Sequence, residues 1–453
     1  MGKIRLCRDD PKGLWTITSQ RTLIYQRDYP DKDSLFLLLK RTLLAQFSIV
    51  KLSVNHRFPN YKYLNIKLYI MKLITILKEF FLKNQSSGVL LILCVVLSLT
   101  IANSPMAESF QALLDQEVGP YSISMWINDA LMAIFFLLLG LEIKREILKG
   151  ELSDIRSASL PIVAAIGGMI VPAVIFSLLN YGTPYSKGWA IPMATDIAFS
   201  LAVISMLGRG VPIAIKVFLV ALSIVDDLGA IVVIALFYTD AIHSSYLLYS
   251  GGIIAVLCLL NYLKVRKIVF YLLLGVLLWY CMHHSGIHAT IAGVILAFTM
   301  PANAEKGKKS PLEKLEHALQ IPVGYIIMPV FALANTNITY KSGMIEGLSS
   351  SLGVGVVLGL ILGKLVGINL FSFIAVKLKI STLPHASRWI HMIGVGLLAG
   401  IGFTMSIFIS LLSFKEHELQ DAAKFAILTA SILAGALGYI LLRSGTKKEN
   451  KSV

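Results

Sequence analysis

The chain has 453 residues, of which 56% are hydrophobic and only 15% charged, with a mean hydropathy of +0.74. A soluble domain carries roughly 25% charged residues, so this composition excludes a soluble enzyme or binding module and points to a polytopic membrane protein. The net charge of +15 does not imply nucleic acid: residues 1–70 hold 13 Lys+Arg and 5 Asp+Glu, a net +8 that leaves +7 for the remainder, and no basic, aromatic-bearing domain stands out.

Residues 1–70 mix charges, aromatics and short apolar runs such as Leu35–Leu39. None reaches the roughly 20 residues a membrane span needs, and none has the form of a signal peptide. Met71-Lys72 opens a stretch that reads as a natural start. The expectation is therefore that residues 1–70 are upstream sequence read in frame and that 71–453 form the transmembrane domain; the alternative is a cytosolic extension. Twelve apolar runs follow: Gly88–Ala102, Ile123–Ile143, Ala158–Leu179, Trp189–Leu207, Ile213–Tyr238, Tyr246–Leu263, Ile268–Met282, Ile287–Met300, Leu319–Ala334, Val354–Val376, His391–Leu412 and Ala422–Leu442. The pattern predicts an all-α polytopic membrane protein with about twelve transmembrane helices. With residue 71 inside, inner connections carry 19 Lys and Arg and outer connections three, Lys187, Lys341 and Lys415. The positive-inside rule then places both termini in the cytoplasm.

Two of the runs are interrupted. Ile191-Pro-Met-Ala-Thr-Asp-Ile197 puts a proline and polar side chains in mid-span, and the run from Gly394 to Met405 holds four glycines and a threonine. These are the fourth and eleventh spans, the middle members of the groups 3–5 and 10–12, which start on opposite sides of the membrane and so form inverted repeats. Paired interrupted spans at corresponding positions mark a transporter site. Crossing there, they bring two positive and two negative helix ends to the midplane, each equivalent to roughly half a charge.

The fifth span contains Ser223-Ile-Val-Asp-Asp-Leu-Gly-Ala230. An Asp at the centre of a membrane helix costs roughly 2.5–3.5 kcal/mol on insertion scales, and here there are two, Asp226 and Asp227. Adjacent helical positions differ by about 100°, so the two carboxylates face different surroundings and have different roles. Carboxylate oxygens suit a hard cation and are neutralised equally by a proton, so competition between the two is built in. Asp196 and Lys364 are the other charges well inside spans; each suits either compensation of helix ends or direct ligation, and a salt-bridge network of purely structural value is the plainer reading. Thr195 has a hydroxyl to offer, although a mid-helix Thr commonly bonds its own backbone. Other polar groups read as interfacial or solvated: Lys216, Lys424, Asn128-Asp129, the group Glu142, Lys144, Arg145 and Glu146, and Glu316-His317. His283, His284 and His288 cluster at an outer turn without the further ligands that a metal site needs. Cys7, Cys94, Cys258 and Cys281 lack metal or disulfide spacing and read as packing residues.

Several stretches resemble the NhaA family of bacterial Na+/H+ antiporters: Trp126-Ile-Asn-Asp-Ala-Leu-Met132, Gly140-Leu-Glu-Ile-Lys-Arg-Glu146, the run from Ala164 to Pro172, the run from Gly188 to Phe199, Val225-Asp-Asp-Leu-Gly-Ala-Ile231, Ser285-Gly-Ile-His-Ala-Thr-Ile-Ala-Gly293 and Gly402-Phe-Thr-Met-Ser-Ile-Phe408. They are in order and cover the chain from about Met71 onward. The resemblance implies a secondary antiporter of the inner membrane, with no cofactor, that exports Na+ or Li+ for a larger number of incoming protons. It implies that Asp227 is the principal cation ligand, assisted by Thr195, that Asp226 carries a proton and pairs with Lys364 when ionised, and that Asp196 balances the crossed helix ends. It also implies a pH-sensing region at Glu142, Arg145, Glu146, Glu316 and His317, and a homodimer formed through a β-hairpin between the first two spans. That connection, Asn103 to Ile123, is shorter here. Gln320 stands where the family has a second histidine of the sensing region and Glu313 where it has a basic residue, so a different activating pH is expected.

Three other functions compete. An intramembrane aspartyl protease needs its two carboxylates on separate helices around one water, whereas these are adjacent. A channel would pass current without obligatory exchange, and a symporter would move Na+ and a solute together.

Overall fold

In hydrocarbon every backbone N–H and C=O must bond within its own segment, which turns long apolar runs into helices. The computed structural model describes residues 86–239, 243–303, 309–340 and 343–449. Residues 1–70 and Met71 lie outside the described residues. The helices are α1 Ser86–Ala102, α2 Ala107–Asp115, α3 Met132–Lys149, α4 Ile155–Leu179, α5 Ile197–Met206, α6 Ile213–Phe237, α7 Ser244–Tyr262, α8 Ile268–Ser285, α9 Ile291–Thr299, α10 Pro311–Pro322, α11 Met328–Asn335, α12 Ser351–Leu358, α13 Lys364–Lys377, α14 Trp389–Leu398, α15 Phe403–Ser413 and α16 His417–Glu449. Among the described residues, eight continuous helical stretches are long and apolar enough to cross a membrane, or eleven when each of three bent pairs counts as one. The protein is an all-α polytopic membrane protein.

The run Ile287–Met300 differs from its expected length. Gly286, left-handed at φ 87°, ends α8, a turn follows, and α9 has only nine residues, about 13 Å at 1.5 Å per residue. It is nonetheless apolar up to Thr299 and largely buried, packed along α3. Between α2 and α3 the short connection still holds an antiparallel hairpin, β1 Glu117–Val118 with β2 Tyr121–Ser122, in the register Glu117↔Ser122 and Val118↔Tyr121.

Two groups with the same order, helix, broken span, helix, make the centre. One runs α4, then a 3-10 segment Pro184–Met193 with α5, then α6; the other runs α12 and α13, then α14 with α15, then α16. Their first members, α4 and α13, share the most extensive helix contact. It depends on two glycines, because a Cβ at Gly167 would run into the Gly367 carbonyl and one at Gly367 into the Gly167 carbonyl. Without a hydrophobic driving force between helices in lipid, such close backbone approach is what holds them. Between α12 and α13 the helix widens into a π-turn, Gly359–Gly363, with Gly363 against Pro172 of α4 and Gly359 against Pro192. Widened turns of this kind concentrate at functional sites, and the residue that follows is Lys364.

Candidate functional site

Pro192 denies the fourth span a regular helical hydrogen bond, and Ala194, Thr195 and Asp196 run extended before α5 begins. In the eleventh span, Ala399 to Gly402 separate α14 from α15. The bends are 46° and 45°. The two breaks touch through backbone, Asp196 N donating to the Ile401 carbonyl at 2.7 Å. The Asp196 carboxylate then serves both helix starts. Its Oδ1 accepts from Phe199 N at 3.1 Å in α5, and its Oδ2 accepts from Thr404 N at 3.2 Å and from the Thr404 hydroxyl in α15. One buried negative charge thus answers the positive ends of two helices.

The opposite, carbonyl-bearing ends are answered by hydroxyls in a near-symmetric exchange. Ser200 of α5 donates to the Leu398 carbonyl at 2.8 Å, and Ser406 of α15 donates to the Ile191 carbonyl at 2.7 Å. Thr195 reaches the Ala399 carbonyl at 2.9 Å. Lying in the extended break rather than in a helix, Thr195 bonds across the crossing and not to its own backbone.

The third component is α6, which buries Asp226 and Asp227 beside this crossing. Asp226 Oδ2 takes the Lys364 ammonium and lies 2.6 Å from Thr195 Oγ1. Thr195 has a single proton and two oxygens within reach, Asp226 Oδ2 and the Ala399 carbonyl. The hydroxyl is the donor in both contacts, its one proton shared between the Asp226 carboxylate and the Ala399 carbonyl. Asp227 points elsewhere, as the 100° step requires. Its Oδ1, like Asp226 Oδ1, is buried without a hydrogen-bond partner among the described residues. Unpaired carboxylate oxygens in a buried position are costly to keep, and they are what a proton or an alkali cation satisfies.

The sequence profile of Na+/H+ antiporter 1 matches residues 78–442. The chain belongs to that family. It is 54% identical over 394 residues to Na(+)/H(+) antiporter NhaA 2 of Flavobacterium johnsoniae, covering 85% of this chain and 96% of that protein. Against Na(+)/H(+) antiporter NhaA of Flavobacterium psychrophilum it is 49% identical, covering 84% and 100%, and against that of Vibrio campbellii 46%, covering 83% and 96%.

In this member of the Na+/H+ antiporter 1 family a second charged assembly lies at the C-terminal end of α3. Arg145 Nε meets both carboxylate oxygens of Glu316, at 2.9 and 3.0 Å, and its guanidinium pairs with Glu146 at 2.7 Å. Glu142 lies within the field of Arg145, Glu146 and Glu316. His317 is exposed and, among the described residues, takes no part in this network. Glu313, which stands where relatives were expected to be basic, closes a capping box with Ser310 at the start of α10 and pairs with Lys149 at 2.8 Å. Lys144 donates to the Phe298 and Met300 carbonyls at 2.6 and 2.7 Å, where a cation suits the helix end. An open cavity of about 480 Å³ adjoins the group, lined by Arg145, Glu146, Lys149, Gly150, Glu151, Asp154 and Ser157.

At the other end of α3 the histidine cluster is already engaged. His283 Nδ1 meets Asp129 Oδ2 at 3.0 Å, and His284 Nδ1 lies 2.9 Å from the Tyr280 carbonyl. Of the residues that carry the crossing, sequence reasoning assigned no role to Thr404, Ser200 or Ser406. Their one signal is their placement, each at or within a turn of an interruption.

Proposed function

We propose that the protein is a secondary active antiporter, not an enzyme, that exports Na+ in exchange for protons at a single site where Asp226 and Asp227 face the crossed breaks. The observation that carries this reading is the asymmetry of the two carboxylates: Asp226 Oδ2 is held by Lys364 and Thr195, while Asp227 Oδ1 has no hydrogen-bond partner among the described residues. Asp227 is the principal cation ligand, with Thr195 as an auxiliary oxygen, and Li+ binds in the same way because both ions are hard. Asp226 holds a proton and exchanges it for the Lys364 ammonium. When Na+ enters, both carboxylates are ionised; when it leaves outward, both are reprotonated from outside. Two protons can thus be taken for one cation, which makes exchange electrogenic. Asp196 keeps the crossing neutral through either half of the cycle.

The same reading places the protein in the bacterial inner membrane, with both termini cytoplasmic by the excess of inner Lys and Arg. The group Glu142, Arg145, Glu146, Glu316 and His317 then faces the cytoplasm and adjusts activity to internal pH. The hairpin Glu117–Ser122 is the surface that would pair with a second copy.

Everted vesicles from an antiporter-deficient host provide the test. NaCl or LiCl, but not KCl, is expected to collapse a respiration-generated pH gradient, with activity rising toward alkaline pH. Asp227→Asn should bring that response below detection at normal membrane levels. Undiminished exchange by Asp227→Asn would overturn the assignment, and a response to every salt would favour a channel.

A further inference from the structure

The stretch of α6 that carries both carboxylates also encloses a hydroxyl with nothing to bond. Ser223 is fully buried, and its Oγ has no hydrogen-bond partner among the described residues. Ser372 Oγ, in α13, also has no partner among the described residues, but that helix carries no carboxylate; Ser250, Ser285, Ser410 and Ser413 each donate to a carbonyl three or four residues earlier, at 2.7–2.9 Å. That back-bond is the ordinary outcome for a serine inside a helix. Ser223 lacks it, so its hydroxyl is turned away from its own backbone.

Its position on α6 gives the direction a meaning. At about 100° per residue, Ser223 lies roughly 40° from Asp227 and roughly 60° from Asp226, on the arc between them and one turn nearer the N-terminal end of α6. Side chains four apart stand one above the other on a helix face. Three oxygens, Ser223 Oγ, Asp226 Oδ1 and Asp227 Oδ1, are therefore buried on one side of one helix with no hydrogen-bond partner among the described residues. Hard alkali cations are held by such oxygens, and one ion there would satisfy all three.

We propose that Ser223 Oγ is a ligand of the transported cation. The inference rests on the antiport reading above and extends it. A neutral hydroxyl contributes to cation binding without itself binding the transported proton, so it biases the competition at the two carboxylates toward Na+ and Li+. Removing it should weaken cation binding and leave the proton half of the cycle in place.

Initial rates of exchange in everted vesicles, measured against NaCl and LiCl concentration at fixed pH, test this with Ser223→Ala, Ser223→Cys and Asp227→Asn side by side. Loss of one contact to a charged ligand should raise the apparent KM for Na+ about tenfold in Ser223→Ala, with the maximum rate within about twofold. Ser223→Cys keeps the volume but offers a soft sulfur, so it should show the same rise and gives the readout if the alanine variant does not reach the membrane. A KM within about twofold of the unsubstituted protein in both serine variants, with Asp227→Asn silent, would overturn the ligand assignment alone. Full exchange in Asp227→Asn would instead overturn the antiport reading beneath it.

Discussion

At the crossing of the broken helices both members of each charged contact are buried, whereas at the end of α3 the Arg145 side chain is 37% exposed, although its partner Glu316 is only 7% exposed. The difference sets what each charge contributes. At the crossing, the charged groups are buried and removing one partner strands the other. At the end of α3, solvent reaches Arg145 and Glu146 through the open cavity. The first assembly holds the fold and the site together; the second can change its protonation with little structural consequence, which is what a regulatory group needs.

The sharpest test of that contrast is Lys364→Ala. It leaves Asp226 buried with the Thr195 hydroxyl but without its cation, and breaking a buried pair in this way typically costs about 3–5 kcal/mol. Thermal unfolding of the purified protein should show a large fall in Tm, and Lys364→Ala combined with Asp226→Asn should recover most of it. A single variant as stable as the unsubstituted protein would mean that the pair at the crossing is no more than a surface pair.

Next in size is Asp196→Ala. It deprives both α5 and α15 of a cap, and a cap contributes about 0.5–2 kcal/mol, so a loss of about 1–4 kcal/mol is expected. Asp196→Asn keeps a side-chain oxygen and should lose less in stability while disturbing exchange more than stability, since it removes the charge that balances two helix ends. Equal stability loss in the two variants would show that charge, not capping geometry, holds the breaks in place.

How far the sequence carries these arguments depends on the residue. Asp226 and Asp227 announce themselves because ionised groups in an apolar run demand a reason, and Pro192 and the glycines from 394 to 402 mark the interruptions because they are poor helix formers. Lys364 is visible by the same charge rule, although its partner lies 138 residues away. The hydroxyls are different. Ser200, Ser406 and Ser223 belong to a residue type that usually bonds its own helix, and only the fold shows which of them does not. The π-turn at Gly359–Gly363 changes hydrogen-bond register without changing composition, so no periodicity reveals it. Hydropathy also overstated Ile287–Met300, because burial against α3 keeps a short helix as apolar as a spanning one.

The smallest effects separate two neighbours at the end of α3. Lys149 is 50% exposed and Glu313 27% exposed in their side chains, and exposed pairs of this kind contribute about 0–1 kcal/mol. Lys149→Gln should therefore change Tm by little, less still at high salt, and leave the pH dependence of exchange where it was. Arg145→Gln should cost more than that, because the Glu316 carboxylate it faces is only 7% exposed, although Glu146 lines the open cavity and can take up water. Arg145 is the cation in direct contact with both of those carboxylates, and its loss changes their charge balance at every pH. The pH at which exchange switches on should move in Arg145→Gln and stay fixed in Lys149→Gln, as measured by gradient collapse across a pH series. If both profiles stay fixed, the assembly at the end of α3 is structural and pH control lies elsewhere; if both move, it reflects the summed charge of that surface rather than the contacts of Arg145.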